Sequence, residues 1–426
     1  PGRQVVPGAV PRGAAGDALK RALLLAGAAL LAAVVAFCVI SIGEPAGEVP
    51  AVVHGRAAHE AHGQGPLRAG AAKVRIPLGE RPVIAGYPGH RRASGPGEEV
   101  FVRALALEAG GGRALIATID TLLIPGELEE EILRRANLGP QTCLMLAATH
   151  THSGPGGAWN NFLAGWAGSG AFDRSQRDDI AQAASMALTL AIGLTAPAEL
   201  AVAREEWPRG PARARSDGPV DPALVAVELR RFNGQDVAAL LSYSMHPTTV
   251  PRSELRISGD WPARAEKYLL EGPALVLQGA GGNATWDGAD PARPVALEAL
   301  RILAGVKALA KVSLACETRL IALPEARASL RVPWIFRRAA GNVLALGFEK
   351  HAVQTRIHLG PLSLVGVPGE AVGGLGLRAR PDILVSLADG YFGYVETTER
   401  WERGEGESGK TYFGPDLSRA LGLTPR

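Results

Sequence analysis

Cysteine is scarce in this chain. Cys38, Cys143 and Cys316 stand far apart with no C-x-x-C pair, which excludes a cysteine-based structural zinc site or a dithiol redox motif and allows at most one disulfide. Excess charge of either sign is also missing: 45 Lys and Arg against 42 Asp and Glu leave a formal charge of only +3. No electrostatic footprint for a polyanion results, and nucleic acid is not an expected partner. Internal repeats are absent as well, which excludes a solenoid or propeller. What remains is ordinary globular material, 426 residues with 47% apolar and 20% charged side chains, enough to bury a large core.

One apolar run breaks the even distribution. Lys20 and Arg21 are followed by uncharged residues from Ala22 to Ile42, long enough as a helix to cross a ~30 Å hydrocarbon layer. The sequence therefore predicts a short basic cytoplasmic segment (1–21), then a transmembrane helix or signal (22–42). Arg3, Arg12, Lys20 and Arg21 precede the run, so the positive-inside tendency puts the rest of the chain on the extracytoplasmic side, anchored, or secreted if the segment is cleaved. Residues 43–70 are rich in Gly, Ala, Pro and His without a sustained period and read as a flexible linker, with His54, His59 and His62 solvated.

From residue 71 to 426 the pattern is that of one α/β domain, a mixed β-sheet flanked by helices. Strands are expected at Val100–Leu107, Arg113–Ile119, Cys143–Ala148, Leu224–Leu229, Val237–Tyr243, Ala274–Leu277, Leu314–Leu323, Gln354–Leu359 and Leu362–Val367. Helices are expected at Glu127–Leu138, Arg177–Ile192, Trp261–Leu270 and Ala296–Lys311.

The chemistry-bearing residues sit where these strands run out. Cys143–Ala148 leads into Thr149-His150-Thr151-His152-Ser153-Gly154-Pro155-Gly156-Gly157, and two imidazoles at i, i+2 on a strand share one face, able to grip a metal or an oxyanion. His246 comes after Val237–Tyr243 in Met245-His246-Pro247-Thr248, and Glu370 comes after Leu362–Val367 in Pro368-Gly369-Glu370. Tyr391 and Tyr394 lie in Gly390-Tyr391-Phe392-Gly393-Tyr394-Val395. Strand ends are where α/β proteins build sites.

In this order the motifs resemble those of the neutral ceramidases, over roughly Ala71 to Pro415. The resemblance implies a zinc ion held by His150, His246, Glu370 and Tyr394, a set of N and O donors that suits zinc and the acidification of a bound water. It makes His152 an oxyanion donor rather than a ligand, and Arg209 its helper. The implied reaction is hydrolysis of the amide of an N-acyl sphingoid lipid, ceramide to sphingosine and fatty acid. Two departures accompany it: Asn283 and Thr285 stand where the family carries aspartate and a catalytic serine, so the change Asn283→Asp, Thr285→Ser is expected to raise turnover. A zinc hydrolase of the same fold acting on another amide or ester, and a catalytically weak lipid-binding homologue, are the alternative readings.

Overall fold

The computed structural model describes residues 2, 14–39, 48–269, 271–328, 337–345 and 347–423. Three large sheets form among them. In the first, Leu144–Ala148, Gly112–Ile119, Phe101–Ala109, Arg68–Arg75 and Ala196–Pro197 lie side by side in that order. The second runs Ala274–Gln278, Asp236–Tyr243, Ala223–Arg230, Glu199–Glu206, and the third His59–Pro66, Lys311–Ala322, His351–Leu359, Leu362–Val367, Ile383–Ser386. Neighbours are antiparallel with one exception per sheet. Gly112–Ile119 is parallel to Leu144–Ala148, Asp236–Tyr243 to Ala274–Gln278, and Leu362–Val367 to Ile383–Ser386. Parallel neighbours send their carboxyl ends to the same edge, and the loops leaving these three pairs meet at one place.

The three sheets face one another across a shared core that includes Leu105, Ile116, Val227, Leu240, Leu314 and Leu364. Helix Arg174–Gly193 covers the outer face of the first sheet through Ile180, Ala184 and Leu188. Asp173 caps its start by accepting from Gln176 N–H at 3.3 Å. Helices Asp260–Glu266 and Ala292–Leu303 cover the second sheet through Trp261, Val295 and Ala299. Cys143 and Cys316 are joined as a disulfide with Cα atoms 6.2 Å apart, linking the start of the His150 strand to the third sheet.

The mixed α/β architecture agrees with the sequence pattern, and three expectations need correction. A helix does form over Ala14–Val39, but among the described residues no helix is long and apolar enough to cross a membrane. Positions 40–42 of the expected span lie outside the described residues. The transmembrane helix is therefore not supported. The supposed linker is largely ordered: His59–Pro66 pairs along its whole length with Lys311–Ala322, and Arg56 is wholly buried. Glycine and histidine give no strand period, yet pairing with an established neighbour supplies the backbone hydrogen bonds that propensity does not. Finally, the helix expected at Ala296–Lys311 stops at Leu303, because Lys311 opens the long strand Lys311–Ala322.

Candidate metal centre

His150 enters the site from a strained backbone. Its φ is +67°, a left-handed conformation that costs a non-glycine residue on the order of 1–3 kcal/mol. Bonds on either side hold it there: Thr149 N–H donates to the Ile119 carbonyl at 2.9 Å and His150 N–H to that of Thr121 at 3.0 Å. Glycine is required at Gly86, whose φ is +119° and where a Cβ would collide with the backbone of His152. The glycine-rich loop beyond His152 is fastened by Gln176, whose amide bonds Val83 on both sides and the Gly156 carbonyl at 2.9 Å.

Two histidines are oriented by carbonyl groups. Nδ1 of His150 lies 2.8 Å from the Leu122 carbonyl, and Nδ1 of His246 lies 2.9 Å from Gly281 O and 3.0 Å from Ala284 O. Since a carbonyl only accepts, each Nδ1 carries a proton, and Nε2 is left as a lone pair in the neutral ring and a second donor in the imidazolium. Both Nε2 atoms face Glu370. Its Oε2 is 3.0 Å from His246 Nε2 and 3.4 Å from His150 Nε2, and its Oε1 accepts from Tyr391 OH at 3.0 Å. The two-residue ladder Glu370–Ala371 with Tyr394–Val395 sets Glu370 directly beside Tyr394. Tyr394 OH thereby reaches 3.5 Å from His246 Nε2.

His152 closes the ring, its Nε2 3.4 Å from that of His150. The ligand atoms of His150, His152 and His246 all lie within 4.8 Å of one another, a group able to hold a metal ion. Electrostatics agree. Burial and the two neighbouring histidines push His152 well below the ordinary imidazole range, and burial lowers His246. Burial alone would raise Glu370, but His150 and His246 hold it well below the usual carboxylate range. Tyr391 and Tyr394 are driven well above the ordinary phenol, first by burial and then by Glu370. A buried carboxylate, imidazoles and phenols form a donor set that fits a divalent cation.

Other expected site residues fall elsewhere. Arg209 is exposed and makes none of the cluster's described contacts. Arg215 takes that place, donating through one nitrogen to Tyr394 OH at 3.0 Å, Gly282 O at 2.8 Å and Glu407 Oε1 at 3.0 Å. Nothing in the sequence separates Arg215 from Arg204, Arg209 and Arg213 around it; only its fold position does. Lys410 stands over the Tyr394 ring at 4.7 Å. Asn283 is buried with both ends of its amide engaged by backbone, donating to Pro219 O at 3.1 Å and accepting from Gly373 N–H at 2.8 Å. It braces the loop behind His246 rather than facing the cluster. Thr285 is half-buried and pairs with Arg213 across the short ladder Ala212–Ala214 with Ala284–Trp286.

No family model matches the sequence. Solved structures do match the fold. A neutral ceramidase from Pseudomonas aeruginosa superposes with a TM-score of 0.70 at 20% identity, covering 84% of this chain and 72% of that one. The chain has the neutral ceramidase fold. A second structure, a ceramidase complexed with C2, gives a TM-score of 0.69 at 20% identity, covering 84% of this chain and 73% of its own. The match covers most of the chain, and His150, His246, Glu370 and Tyr394 fall within one buried cluster.

Proposed function

We propose that this protein is a zinc-dependent amide hydrolase of ceramidase type, with zinc held by His150, His246, Glu370 and Tyr394 and a ceramide-like N-acyl lipid as substrate. The observation that carries this reading is the convergence of two carbonyl-oriented Nε2 atoms on the buried carboxylate of Glu370, 3.0 and 3.4 Å away. With zinc held by these residues, a bound water would be acidified toward pKa ~7 and the substrate carbonyl would be polarised.

The protein's own groups complete the chemistry. His152, kept neutral by burial, donates from beside His150 to the oxygen that gains charge as water adds to the amide. Tyr394, with its oxygen fixed by Arg215, is a second donor to that oxygen or a proton source for the departing amine. Tyr391 holds the Glu370 carboxylate by its other oxygen. Addition of water forms a C–O bond and a tetrahedral adduct, and its collapse breaks the C–N bond as the nitrogen takes a proton, leaving a fatty acid and an amine.

A lipid substrate is supported by the aromatic file that begins at Tyr391: Trp159 lies 6.5 Å from it, Phe348 6.1 Å from Trp159 and Tyr412 5.4 Å from Phe348. Beyond Trp159 the chain exposes Phe162, Leu163 and Trp166. The Cys143–Cys316 bridge favours an oxidising, extracytoplasmic setting. The three-histidine grouping favours a second ligand set in which His152 replaces Tyr394.

Metal analysis of the purified protein, joined to fatty-acid release from a panel of N-acyl lipids and matched esters, tests the reading. About one zinc per chain with release from ceramide is the expected result. Release only from other amides or esters moves the assignment to a hydrolase of different substrate, and absence of stoichiometric metal overturns it.

A further inference from the structure

Away from the cluster lies a group of charges for which the proposed chemistry has no use. Arg56, Glu129 and Asp389 are each fully buried, one cation with two carboxylates. Arg56 arrives on a tight turn, Val53 to Arg56, closed by two backbone bonds of 2.8 Å. One of its terminal nitrogens meets Glu129 Oε1 at 2.6 Å and lies 3.9 Å from Asp389 Oδ1. The other donates to the Leu144 carbonyl at 2.6 Å and to Thr355 Oγ1 at 3.1 Å.

These contacts reach the elements that end in the site. Leu144 begins the strand that delivers His150. Asp389 stands two residues before Tyr391, on a turn in which Leu387 and Asp389 both have φ of +60°, an unfavourable state that needs outside support. Its carboxylate bonds the strand as well, Oδ1 accepting from Leu146 N–H at 3.0 Å and Oδ2 from Thr355 N–H at 2.9 Å. Thr355 completes the loop by donating to Leu144 O at 2.9 Å. The histidine strand and the tyrosine turn are thus joined directly by Asp389, and the Arg56 guanidinium, whose planar fork can satisfy several acceptors at fixed angles, holds Leu144 and Thr355 and lies beside the Asp389 carboxylate.

We propose that Arg56 is a positioning residue: it sets the spacing between the His150 strand and the turn carrying Tyr391 and Tyr394, and so the geometry of the metal centre. Without it two buried carboxylates face each other uncompensated, and Asp389 must protonate or move. Either change loosens its hold on Leu146 and Thr355. The segment 53–56 then belongs to the functional body of the protein although it lies before the motifs.

This inference rests on the metal-centre reading, and its test separates the two. Wild-type protein, Arg56→Met, Arg56→Lys and, as a control for stability alone, Leu229→Ala in the shared core are loaded with cobalt(II); binding affinity, the visible absorption of the bound ion and thermal midpoint are recorded. The expected result is a cobalt affinity about tenfold weaker in Arg56→Met, the scale found when groups supporting metal ligands are removed, with an altered spectrum and partial rescue by lysine. Leu229→Ala lowers the midpoint and leaves the spectrum unchanged. Should Arg56→Met fail to fold, Thr355→Val, which removes only one hydroxyl from the network, is expected to shift the spectrum in the same direction. Unaltered affinity and spectrum in the folded variants overturn the positioning role while leaving the metal centre standing; a wild type that takes up no cobalt overturns both.

Discussion

Two sets of three histidines invite comparison. His54, His59 and His62 lie close in sequence, yet His62 is exposed beside Glu60 at 3.6 Å and His54 turns instead to Glu349. His150, His152 and His246 come from two distant stretches of chain and share one buried space. The difference lies in what holds the ring. In the second set Nδ1 of His150 and His246 is committed to a main-chain carbonyl at a strand end, which fixes tautomer and direction together. Nearness in sequence does neither.

The largest effect that could break this comparison is on metal content. His150→Ala with His246→Ala is expected to abolish binding, and alanine at His54, His59 and His62 together to leave about one zinc per chain. Stoichiometric metal in the first double mutant ends the assignment. Next comes His152→Ala, expected to keep the metal and lose turnover by about 10²–10³-fold, the scale for one oxyanion donor. Metal lost in that variant makes His152 a ligand and the three-histidine set the correct one.

Asn283→Asp gives a smaller effect and reverses the expectation drawn from the sequence. A carboxylate cannot donate to the Pro219 carbonyl, so the variant is expected to lose about 1–3 kcal/mol of stability in denaturant titrations and to gain no turnover. A tenfold rise in ceramide cleavage by Asn283→Asp with Thr285→Ser restores the sequence-based view. The smallest effect belongs to the first histidine set. Glu349, beside His54, is pushed up to about 7, first by burial and then by Glu129, Glu127 and Glu130. A carboxyl raised in the fold stabilises fully below its unfolded value near 4.5 and loses that contribution as pH rises through about 7. Glu349→Gln is therefore expected to gain thermal midpoint relative to wild type between about pH 5 and pH 8, and a constant difference across that range contradicts it.

Much of this is legible in the sequence. Strand Leu362–Val367 is read to the residue, and Asp236–Tyr243 within one, because both are mainly apolar runs bounded by turn residues. The donors at their ends come with them. Arg68–Arg75 escapes, its Arg-Ala-Gly-Ala-Ala-Lys sequence lacking the bulky side chains that mark a strand. The small residues have a structural reason, since a Cβ on Gly70 would strike the Ala191 carbonyl of the covering helix. Arg215 and Asn283 escape for another cause: their contacts are decided by distant turns at Pro219, Gly282 and Gly373 meeting in space, and no local pattern encodes that meeting.

The ladder joining Glu370–Ala371 to Tyr394–Val395 is only two residues long, and it bears on which length changes this protein can tolerate over evolutionary time. Side chains alternate along a strand, so a one-residue slip exchanges the inward side chain for its neighbour. A single insertion between Ala371 and Tyr394 that reaches this ladder would offer Gly393 or Val395 to the centre in place of the phenol. The helix Gly373–Ala379 and strand Ile383–Ser386 lie between the two halves of the ladder, so the number of residues they contribute is constrained along with the identity of the tyrosine itself.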